Sequence, residues 1–417
     1  MKILFVHQNF PAQFKHVAPA LAAMPGNTVV ALTMRKIAPG NWRGVRVVPY
    51  AARSEASRTA HAWVAELESK VLRGEACLHA ALSLKKEGFE PDVVVAHPAW
   101  GESLFLQDVW PRARIGIYCE FFYQSSGADV GFDPEFDRPE ELQASRLRIK
   151  NANYVLHSQC AAAGIAPTQW QAGTFPEPFR SRIAVIHDGI DTGALRPDPS
   201  ARVVLRSRGK AITLTRADEV VTFVSRNLEP YRGFHVFMRC LPELLGARPR
   251  ARILVVGGEE ASYGPPPPGG GSWKEVFARE VRPRISDADW QRVHFLGQLE
   301  YGRFVALLQV STVHVYLTYP FVLSWSLLEA MSCGCAVVAS DTAPVREVVR
   351  DGETGRLVSF FDPSTLARTV GAMLDDACER ERLGIGARKL VAGRYDLARV
   401  CLPRQLEWVD ALADARA

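Results

Sequence analysis

The apolar residues of this chain fall in short runs rich in β-branched side chains, and longer segments with helical spacing lie between most of them. The runs lack the period-two alternation of a half-exposed strand, so they predict strands that are buried on both faces. Strands of this kind form parallel sheets covered by helices. Strands are predicted at residues 3–6, 28–32, 45–48, 93–96, 115–118, 154–157 and 183–186 of the first half, and at 220–224, 253–256, 293–296, 313–317 and 336–339 of the second.

The alternation predicts an α/β chain of two doubly wound, Rossmann-like domains that face a cleft, which agrees with a length of 417 residues. We expect an N-terminal domain at residues 1–190, a linker at 191–217 where Gly and Pro interrupt the apolar pattern, and a C-terminal domain at 218–394. A final helix at 395–417 is expected to pack back on the N-terminal domain. The four prolines and three glycines of residues 265–271 predict a loop.

Composition and charge exclude several classes of protein. Hydrophobic residues make up 47% and charged residues 23%, which is typical of a folded globular chain rather than a disordered or fibrous one. The net charge of +5 comes from 50 basic and 45 acidic residues, and no basic stripe interleaved with aromatic residues is present, so nucleic acid is not an expected partner. The small basic excess leaves room for an anionic substrate or a weak peripheral membrane contact.

The cysteines and the apolar segments indicate a cytoplasmic protein. Eight cysteines are scattered, and the closest pair, Cys333 and Cys335, lacks the spacing of a zinc site, so reduced thiols are expected. Residues 3–6 form too short an apolar run for a signal peptide. Residues 305–328 carry no charge, but polar residues and a proline interrupt them, and their pattern indicates strand, turn and helix rather than a membrane span.

Two loops that follow strands carry candidate chemistry. After residues 220–224 the chain runs through SRNLEPYRG into a helix, and Arg226 and Arg232 could bind a diphosphate with their guanidinium groups. Two solvated arginines on a surface turn are the alternative. After residues 313–317, a turn at Val322, Leu323 and Ser324 could present backbone N–H groups to a phosphate at the start of a helix.

Glu329 lies one turn inside that second helix, where a carboxylate could accept hydrogen bonds from two ribose hydroxyls. A purely structural reading is equally open from this pattern. Ser326 and Glu329 have the spacing of a capping box, in which the glutamate bonds back to the start of its own helix.

Five segments, in the order VIHDGID, SRNLEPYRGF, ILVVGG, VHFLGQL and SWSLLEAMSCGCAVVAS, together resemble family 4 of the retaining glycosyltransferases, the group 1 type with the GT-B fold. The resemblance covers the predicted C-terminal domain and, more loosely, the N-terminal one. It implies transfer of a hexose from a nucleotide diphosphate sugar to an acceptor hydroxyl, with the nucleotide sugar as a substrate and no cofactor or metal. A UDP-sugar is mildly preferred over a GDP-sugar.

The resemblance also implies roles for individual residues. Arg226 and Arg232 match the basic pair that binds the donor pyrophosphate, and Glu329 matches the second glutamate of the paired-glutamate motif, which holds the ribose. Residues near the nucleotide and its base are implied to be Gly257, Gly258, Gly297 and Gln298. His97, at the end of strand 93–96, matches a histidine that donates a hydrogen bond to the transferred sugar, although a core histidine is the alternative.

The chain departs from the family in two places. Phe321 stands where most members have the first glutamate of the pair, so either another acid replaces it or the hexose is held differently; the candidate acids and donors are Glu102, Glu120 and Tyr123. The sequence HQNFPAQF replaces the glycine-rich first turn, so contacts there would come from side chains of Gln8, Asn9 or Gln13.

The alternatives at this point are a nucleotide-sugar epimerase or hydrolase on the same fold, and a non-catalytic nucleotide-sugar-binding protein. A nicotinamide dehydrogenase is disfavoured because no G-x-G-x-x-G follows the first strand. The acceptor, expected to meet the loops at residues 121–141 and 164–179, and the oligomeric state stay open.

Overall fold

Parallel sheets covered by helices form both halves of the chain in a computed structural model, which describes residues 1–57, 59–137, 141–207 and 210–414. The chain divides into unit 1, Met1–Gly189 with Leu397–Ala417, and unit 2, Ile190–Asp396. This architecture confirms the predicted α/β class with two Rossmann-like domains.

Unit 1 contains a sheet of order β3-β4-β2-β1-β5-β6-β7-β8, in which every neighbouring pair is parallel except β3 with β4. Its strands are β1 Lys2–Val6, β2 Thr28–Thr33, β3 Gly40–Trp42, β4 Val45–Pro49, β5 Val93–Ala96, β6 Arg114–Tyr118, β7 Ala163–Ala166 and β8 Ile183–Val185. Its first helices are α1 Val17–Ala22, α2 Ala65–Lys86, α3 Leu106–Val109, α4 Gln143–Lys150, α5 Ala152–Cys160 and α6 Gln169–Gly173. Strands β1 and β5 are almost wholly buried, as their unbroken apolar runs predict.

Unit 2 contains an all-parallel sheet of order β13-β12-β11-β14-β15-β16, and a separate antiparallel pair, β9 with β10. Its strands are β9 Val203–Ser207, β10 Lys210–Leu214, β11 Val220–Asn227, β12 Arg252–Gly258, β13 Val293–Phe295, β14 Val313–Tyr316, β15 Ala336–Ser340 and β16 Arg356–Val358. Its helices are α7 Phe234–Ala247, α8 Trp273–Val281, α9 Asp287–Trp290, α10 Tyr301–Val310, α11 Trp325–Ser332, α12 Ala343–Arg346, α13 Pro363–Asp375 and α14 Ala377–Arg394.

The last helix, α15 Leu402–Asp414, packs on the sheet of unit 1. Gly116 in β6 lies directly beneath it, because a Cβ added there would stand 2.5 Å from side-chain atoms of both Trp408 and Leu412. Gln405 donates from its side-chain amide to the His187 carbonyl at 2.9 Å. The helix therefore covers a face of the sheet that has no bulky side chain of its own at this point.

Several predicted elements differ from the structure. Residues 154–157, predicted as a strand, lie within helix α5, because Tyr154 and His157 are buried three residues apart while Val155 and Leu156 between them are exposed. The strand next to β6 is instead β7. The predicted linker at 191–217 belongs to unit 2 and includes β9 and β10, apart from residues 208 and 209, which lie outside the described residues.

The uncharged segment at residues 305–328 contains the end of α10, strand β14 and the start of α11, as its interrupted pattern predicts. Across the described parts of the chain, every helix is too short or too polar to cross a lipid bilayer.

Candidate functional site

Glycines at the carboxyl edge of the unit 2 sheet bring three strand ends into close contact. The Gly257 N–H donates to the Gly297 carbonyl at 3.0 Å, and the Leu228 N–H donates to the Gly258 carbonyl at 2.9 Å. A Cβ on Gly257 would stand 2.9 Å from the Ser225 carbonyl oxygen, so the backbone leaves no room for a side chain there, whereas a Cβ on Gly258 would meet only the movable ends of the Asn227 and Gln298 side chains. The four predicted residues Gly257, Gly258, Gly297 and Gln298 thus lie together, at the edge where open α/β sheets bind ligands.

The two predicted arginines lie in different environments at this edge. Arg226 is exposed at the end of β11. Arg232 is 5% exposed, and its Nη1 donates to Thr318 Oγ1 at 2.8 Å and to the Val322 carbonyl at 2.9 Å. Burial lowers the pKa of Arg232, but Tyr316, Tyr263 and Glu229 outweigh it and raise that pKa above its ordinary value. The Arg232 guanidinium therefore stays charged although it is buried, and its hydrogen bond to the Val322 carbonyl holds the turn before α11.

The turn after β14 leads into α11 with Ser324 as its N-cap. The Ser324 hydroxyl accepts from the Ser326 N–H at 3.3 Å, and the Ser324 N–H donates to Tyr316 Oη at 2.9 Å. Because the cap is Ser324, the capping box of Ser326 and Glu329 does not form, and that reading is wrong. Val322 and Leu323, the other two predicted residues of this turn, are buried.

Glu329 is 7% exposed, and its Oε1 accepts a hydrogen bond from Tyr301 Oη at 3.2 Å. Tyr301, whose side chain is half-exposed, starts α10. Burial and the neighbouring Glu329 raise the pKa of Tyr301 above its ordinary value, so the phenol stays a donor. The hydrogen bond fixes the orientation of a buried carboxylate, a group that accepts hydrogen bonds from hydroxyls.

Phe321, the residue in place of the first glutamate of the family, packs in an aromatic cluster. Its ring centroid lies 5.5 Å from that of Tyr231 and 5.1 Å from that of Tyr263, both edge-on. The Arg232 guanidinium lies over the Tyr263 ring at 5.0 Å. At 5% exposure Phe321 is an integral part of this wall. The departure from the family is thus built into the packing of the turn.

Glu229 is a positioning residue that our sequence reasoning missed. Its side chain is fully buried, and Oε2 accepts from the N–H groups of Ser262 and Tyr263, both at 3.1 Å, and of Gly264 at 3.4 Å. The carboxylate thereby holds the loop that supplies Tyr263 to the aromatic cluster. Its place between Asn227 and Arg232 in the strand-end segment was the available signal.

In unit 1, His97 follows β5 and is fully buried. Its Nδ1 accepts from the Ala99 N–H at 3.5 Å, so Nε2 carries the ring proton, and no described group forms a hydrogen bond with that atom. Its ring stacks between Trp100 and Tyr118, with centroids 4.7 and 5.2 Å away. Burial, followed by His7, lowers the pKa of His97 well below its usual value, so the imidazole is neutral.

The first loop, residues 7–14, supports His97 through His7, whose ring centroid lies 5.0 Å from that of His97. His7 Nε2 binds Gln13 Oε1 at 2.8 Å, and the Asn9 N–H donates to His7 Nδ1 at 2.9 Å. Burial lowers the pKa of His7 to about 4. Gln13 therefore positions His7, Asn9 is exposed, and Gln8 is partly buried, with its carbonyl accepting from Thr33 Oγ1 at 2.9 Å.

The three candidates for the missing acid are spread out. Glu120 follows β6, and its Oε2 lies 3.7 Å from His97 Nε2. Tyr123 packs under Lys150, whose Nζ is 4.1 Å from its ring centroid. Glu102 is fully buried, and burial raises the pKa of its carboxyl to about 7, although Arg73 and Lys70 of α2 oppose this. Only Glu120 of the three is placed beside the His97 ring.

Within either unit taken by itself, the described residues place no three His, Cys, Asp or Glu ligand atoms close enough to share a metal ion.

Two sheets of parallel strands with polar groups at their carboxyl ends define a doubly wound α/β protein of two Rossmann-like domains. Residues 25–195 match the family model described as "Glycosyl transferase family 4 group", and residues 207–390 match "Glycosyl transferases group 1". The chain therefore belongs to the group 1 glycosyltransferases of family 4, which confirms the resemblance seen in its motifs.

Relatives and solved structures agree with this family. The chain is 31% identical over 204 residues to a D-inositol 3-phosphate glycosyltransferase of Acidothermus cellulolyticus. The matched residues make up 48% of this chain and 42% of the relative. It is 31% identical over 178 residues to a phosphatidyl-myo-inositol mannosyltransferase of Mycolicibacterium smegmatis, 42% of this chain and 40% of the relative. The matches thus span less than half the length of these relatives.

Two solved structures align with this chain over almost the full length of both proteins. A sucrose-phosphate synthase from Thermosynechococcus elongatus has a TM-score of 0.73 at 16% identity and covers 100% of each chain. Anabaena HepE, in complex with UDP-glucose, has a TM-score of 0.66 at 16% identity and covers 99% of each chain. The chain shares its fold, GT-B, with these proteins.

Proposed function

We propose that this protein is a retaining glycosyltransferase that moves a hexose from a nucleotide diphosphate sugar, with UDP preferred, to an acceptor hydroxyl without a metal ion. The carrying observation is the carboxyl edge of the unit 2 sheet. That edge combines glycines at the strand ends, an exposed arginine, a helix N-terminus and a buried carboxylate. The chain that carries them belongs to a glycosyltransferase family.

In this proposal the donor diphosphate binds between Arg226 and the N-terminus of α11. Arg226 is exposed and available to a ligand, while Arg232 holds the turn that aims the helix start. A fixed cation and a helix N-terminus both stabilise the negative charge that develops on the departing diphosphate. In this proposal these groups stabilise the leaving group in place of a metal ion.

Glu329 accepts the ribose hydroxyls in this proposal. The Tyr301 hydroxyl occupies one lone pair of Oε1 and fixes the orientation of the carboxylate. A carboxylate oriented in advance accepts charge-assisted hydrogen bonds at little further cost in entropy. Because Anabaena HepE, which shares this fold, was solved in complex with UDP-glucose, UDP is the nucleotide that we place here first.

His97 acts as a neutral hydrogen-bond donor to the transferred hexose. Its Nε2–H is buried and lacks a described hydrogen-bond partner, and Glu120 lies 3.7 Å away as the nearest placed carboxylate. An unpaired buried N–H is costly unless a ligand satisfies it. Phe321, which replaces the first glutamate of the family's pair, packs among tyrosines and has no carboxylate. We assign the role of that glutamate, contact with the transferred sugar, to Glu120 of unit 1.

The reaction breaks the bond between the sugar C1 and the phosphate oxygen, and a bond from the acceptor oxygen to C1 forms on the same face. Because the acceptor oxygen attacks the face from which the diphosphate departs, configuration is retained. The proton of the acceptor hydroxyl goes to the departing phosphate oxygen, so no protein base is needed. The role of this chain is to stabilise the charge and to orient both substrates.

The test combines the purified protein with UDP- and GDP-sugars and a panel of acceptors. We expect UDP-dependent transfer that survives EDTA, with product of the donor's anomeric configuration by NMR. Loss of activity in EDTA that a divalent cation restores would contradict metal independence. Conversion of donor without acceptor would instead favour an epimerase or hydrolase, and UDP binding without transfer would favour a non-catalytic binding protein.

Arg226→Ala should lower turnover by about 10²-fold, because it removes one fixed charge from the leaving group. Arg279→Ala, which removes an exposed arginine from α8 of the same unit, is the matched control and should retain normal turnover. Equal turnover of the two variants would refute the role of Arg226.

A further inference from the structure

A lysine of unit 1 is buried, and its ammonium group is bonded to the helices around it. Lys70 of α2 is 5% exposed. Its Nζ donates to Asn153 Oδ1 at 3.0 Å and to the Lys150 carbonyl at 3.2 Å, and it lies 3.0 Å from Glu66 Oε1. These three acceptors match the three N–H bonds of an ammonium group. Burial lowers the pKa of Lys70 below its ordinary value, and Glu66 opposes this.

Asn153 of α5 connects this lysine to the turn that follows His97. The Asn153 side chain is fully buried, and its Nδ2 donates to the Pro98 carbonyl at 2.8 Å. A lysine can only donate and a carbonyl can only accept, so the amide is held in one orientation, with Oδ1 toward Lys70 and Nδ2 toward Pro98. Because Pro98 directly follows His97 in the chain, the backbone is anchored one residue away from the imidazole.

The loop at residues 98–103 begins with a single turn of 3-10 helix that contacts the His97 ring. The Ala99 N–H donates to His97 Nδ1 at 3.5 Å, and the Trp100 ring centroid lies 4.7 Å from that of His97 in a stacked arrangement. Two of the contacts that orient the imidazole therefore come from the turn that Asn153 anchors.

The second half of this loop is held by the same two helices. A Cβ on Gly101 would overlap the backbone of Lys70, so the loop touches α2 directly. Ser103 Oγ donates to His157 Nε2 at 2.7 Å, and His157 Nδ1 donates to the Asn153 carbonyl at 2.6 Å. Burial lowers the pKa of His157 to about 4, so the ring is neutral and can accept one hydrogen bond while it donates the other. Helices α2 and α5 thus hold both ends of the loop.

We propose that Lys70 and Asn153 are positioning residues that set the orientation of the His97 imidazole and thereby the rate of sugar transfer. The inference rests on the proposed function for the role of His97. The order of donors and acceptors, from ammonium to amide to carbonyl, stands on the hydrogen bonds themselves. Side chains that only filled space would need neither the ammonium of Lys70 nor the amide of Asn153, and burying a lysine is costly unless its charge is paired and hydrogen-bonded.

Asn153→Asp tests the direction of these hydrogen bonds with almost no change of shape. The new carboxylate still accepts from Lys70, but it turns an acceptor toward the Pro98 carbonyl, and two acceptors repel each other. We expect kcat to fall by about 10- to 100-fold, because catalysis is sensitive to displacements of about 1 Å. The KM for the donor sugar should stay within about twofold, because the proposed nucleotide site lies in unit 2.

Two variants of Lys70 test the same network from its other end. Lys70→Met removes the ammonium and should lower kcat in the same way, whereas Lys70→Arg keeps N–H donors and should retain more activity than Lys70→Met. Lys85→Met is the matched control, because Lys85 lies near the end of α2 and donates to the Val109 carbonyl at 2.6 Å, away from the loop at 98–103. Its kcat should be normal.

Fluorine NMR reports on the turn without any substrate. The protein is labelled with 5-fluorotryptophan, and the resonance of Trp100 is identified by its loss in Trp100→Phe. We expect Asn153→Asp and Lys70→Met to shift or broaden this resonance, because Trp100 lies on the turn that they release, and Lys85→Met to leave it unchanged.

The two readouts separate this inference from the proposed function. A normal kcat in Asn153→Asp and Lys70→Met would overturn the inference, and so would a lower kcat with an unchanged Trp100 resonance. If Asn153→Asp does not fold, as urea unfolding would show, the comparison of Lys70→Met with Lys70→Arg decides by the same readouts. If the wild type transfers no sugar at all, the proposed function fails, and the Trp100 resonance still decides whether Lys70 and Asn153 position the turn.

Discussion

Replacing Glu102 with glutamine should change the pH dependence of folding. The Glu102 side chain is fully buried, and both of its carboxyl oxygens lack hydrogen-bond partners among the described residues. Burial raises the pKa of this carboxyl to about 7 from an ordinary value of 4.5. Glutamine has nearly the same shape but cannot ionise, so the variant removes only the titration.

The sign and size of the effect follow from proton linkage. Below about pH 4.5 the carboxyl is protonated in the folded and the unfolded protein, and it contributes no pH dependence. Between about pH 4.5 and about pH 7 the unfolded chain has lost the proton while the folded protein keeps it, so the free energy of unfolding falls as pH rises. At about 1.4 kcal/mol for each pH unit, the total loss is about 3 kcal/mol.

The measurement is urea unfolding of the wild type and of Glu102→Gln between about pH 5 and about pH 8. The variant should gain stability relative to the wild type by up to about 3 kcal/mol across this range. Glu90→Gln, at an exposed carboxylate of the same unit, is the control and should track the wild type. A Glu102→Gln difference that does not vary with pH would refute the reasoning.

The remaining predictions concern the last helix and the donor site. Gly116→Ala should lower the free energy of unfolding by about 1–3 kcal/mol, and with it the Tm, because the new Cβ meets side chains of α15. Gly173→Ala is the control and should not lower the Tm, because no atom lies within 4 Å of a Cβ there. Equal Tm values for the two variants would contradict the packing of α15 on Gly116. Glu329→Gln should weaken UDP binding in calorimetry roughly tenfold or more, and Tyr301→Phe only a few-fold, because the first loses a charged acceptor and the second one supporting hydrogen bond. If Tyr301→Phe weakens UDP binding more than Glu329→Gln does, the assignment of Glu329 to the ribose is wrong.

The sequence predicts the buried strands well, because an unbroken apolar run such as β5 is stable only in the interior of a sheet that helices cover on both faces. Helix α5 shows the limit: a four-residue apolar run has too little length to separate a strand from a helix, and only the burial of Tyr154 and His157 together decides it. Strand β3 is short and mostly exposed, so it leaves no apolar run to detect.

The candidate donor site was predictable as a set of strand-end positions, but not in its internal contacts. The motif could not show that Arg232 is turned inward onto the Val322 carbonyl while Arg226 stays exposed. Nor could it show that Phe321 packs between Tyr231 and Tyr263, since those aromatic residues come from separate loops. Long-range contacts of this kind carry no local periodicity.

The return of α15 to the first sheet makes the two halves unequal during synthesis. Residues 190–396 form one continuous segment, closed where the Ile190 N–H donates to the Tyr395 carbonyl at 2.8 Å, and they can fold as soon as they leave the ribosome. Unit 1 is discontinuous, because residues 1–189 are synthesised before unit 2 and the helix at 402–414 follows it. The face of the first sheet at Gly116 is therefore covered only after the whole of unit 2 has been made.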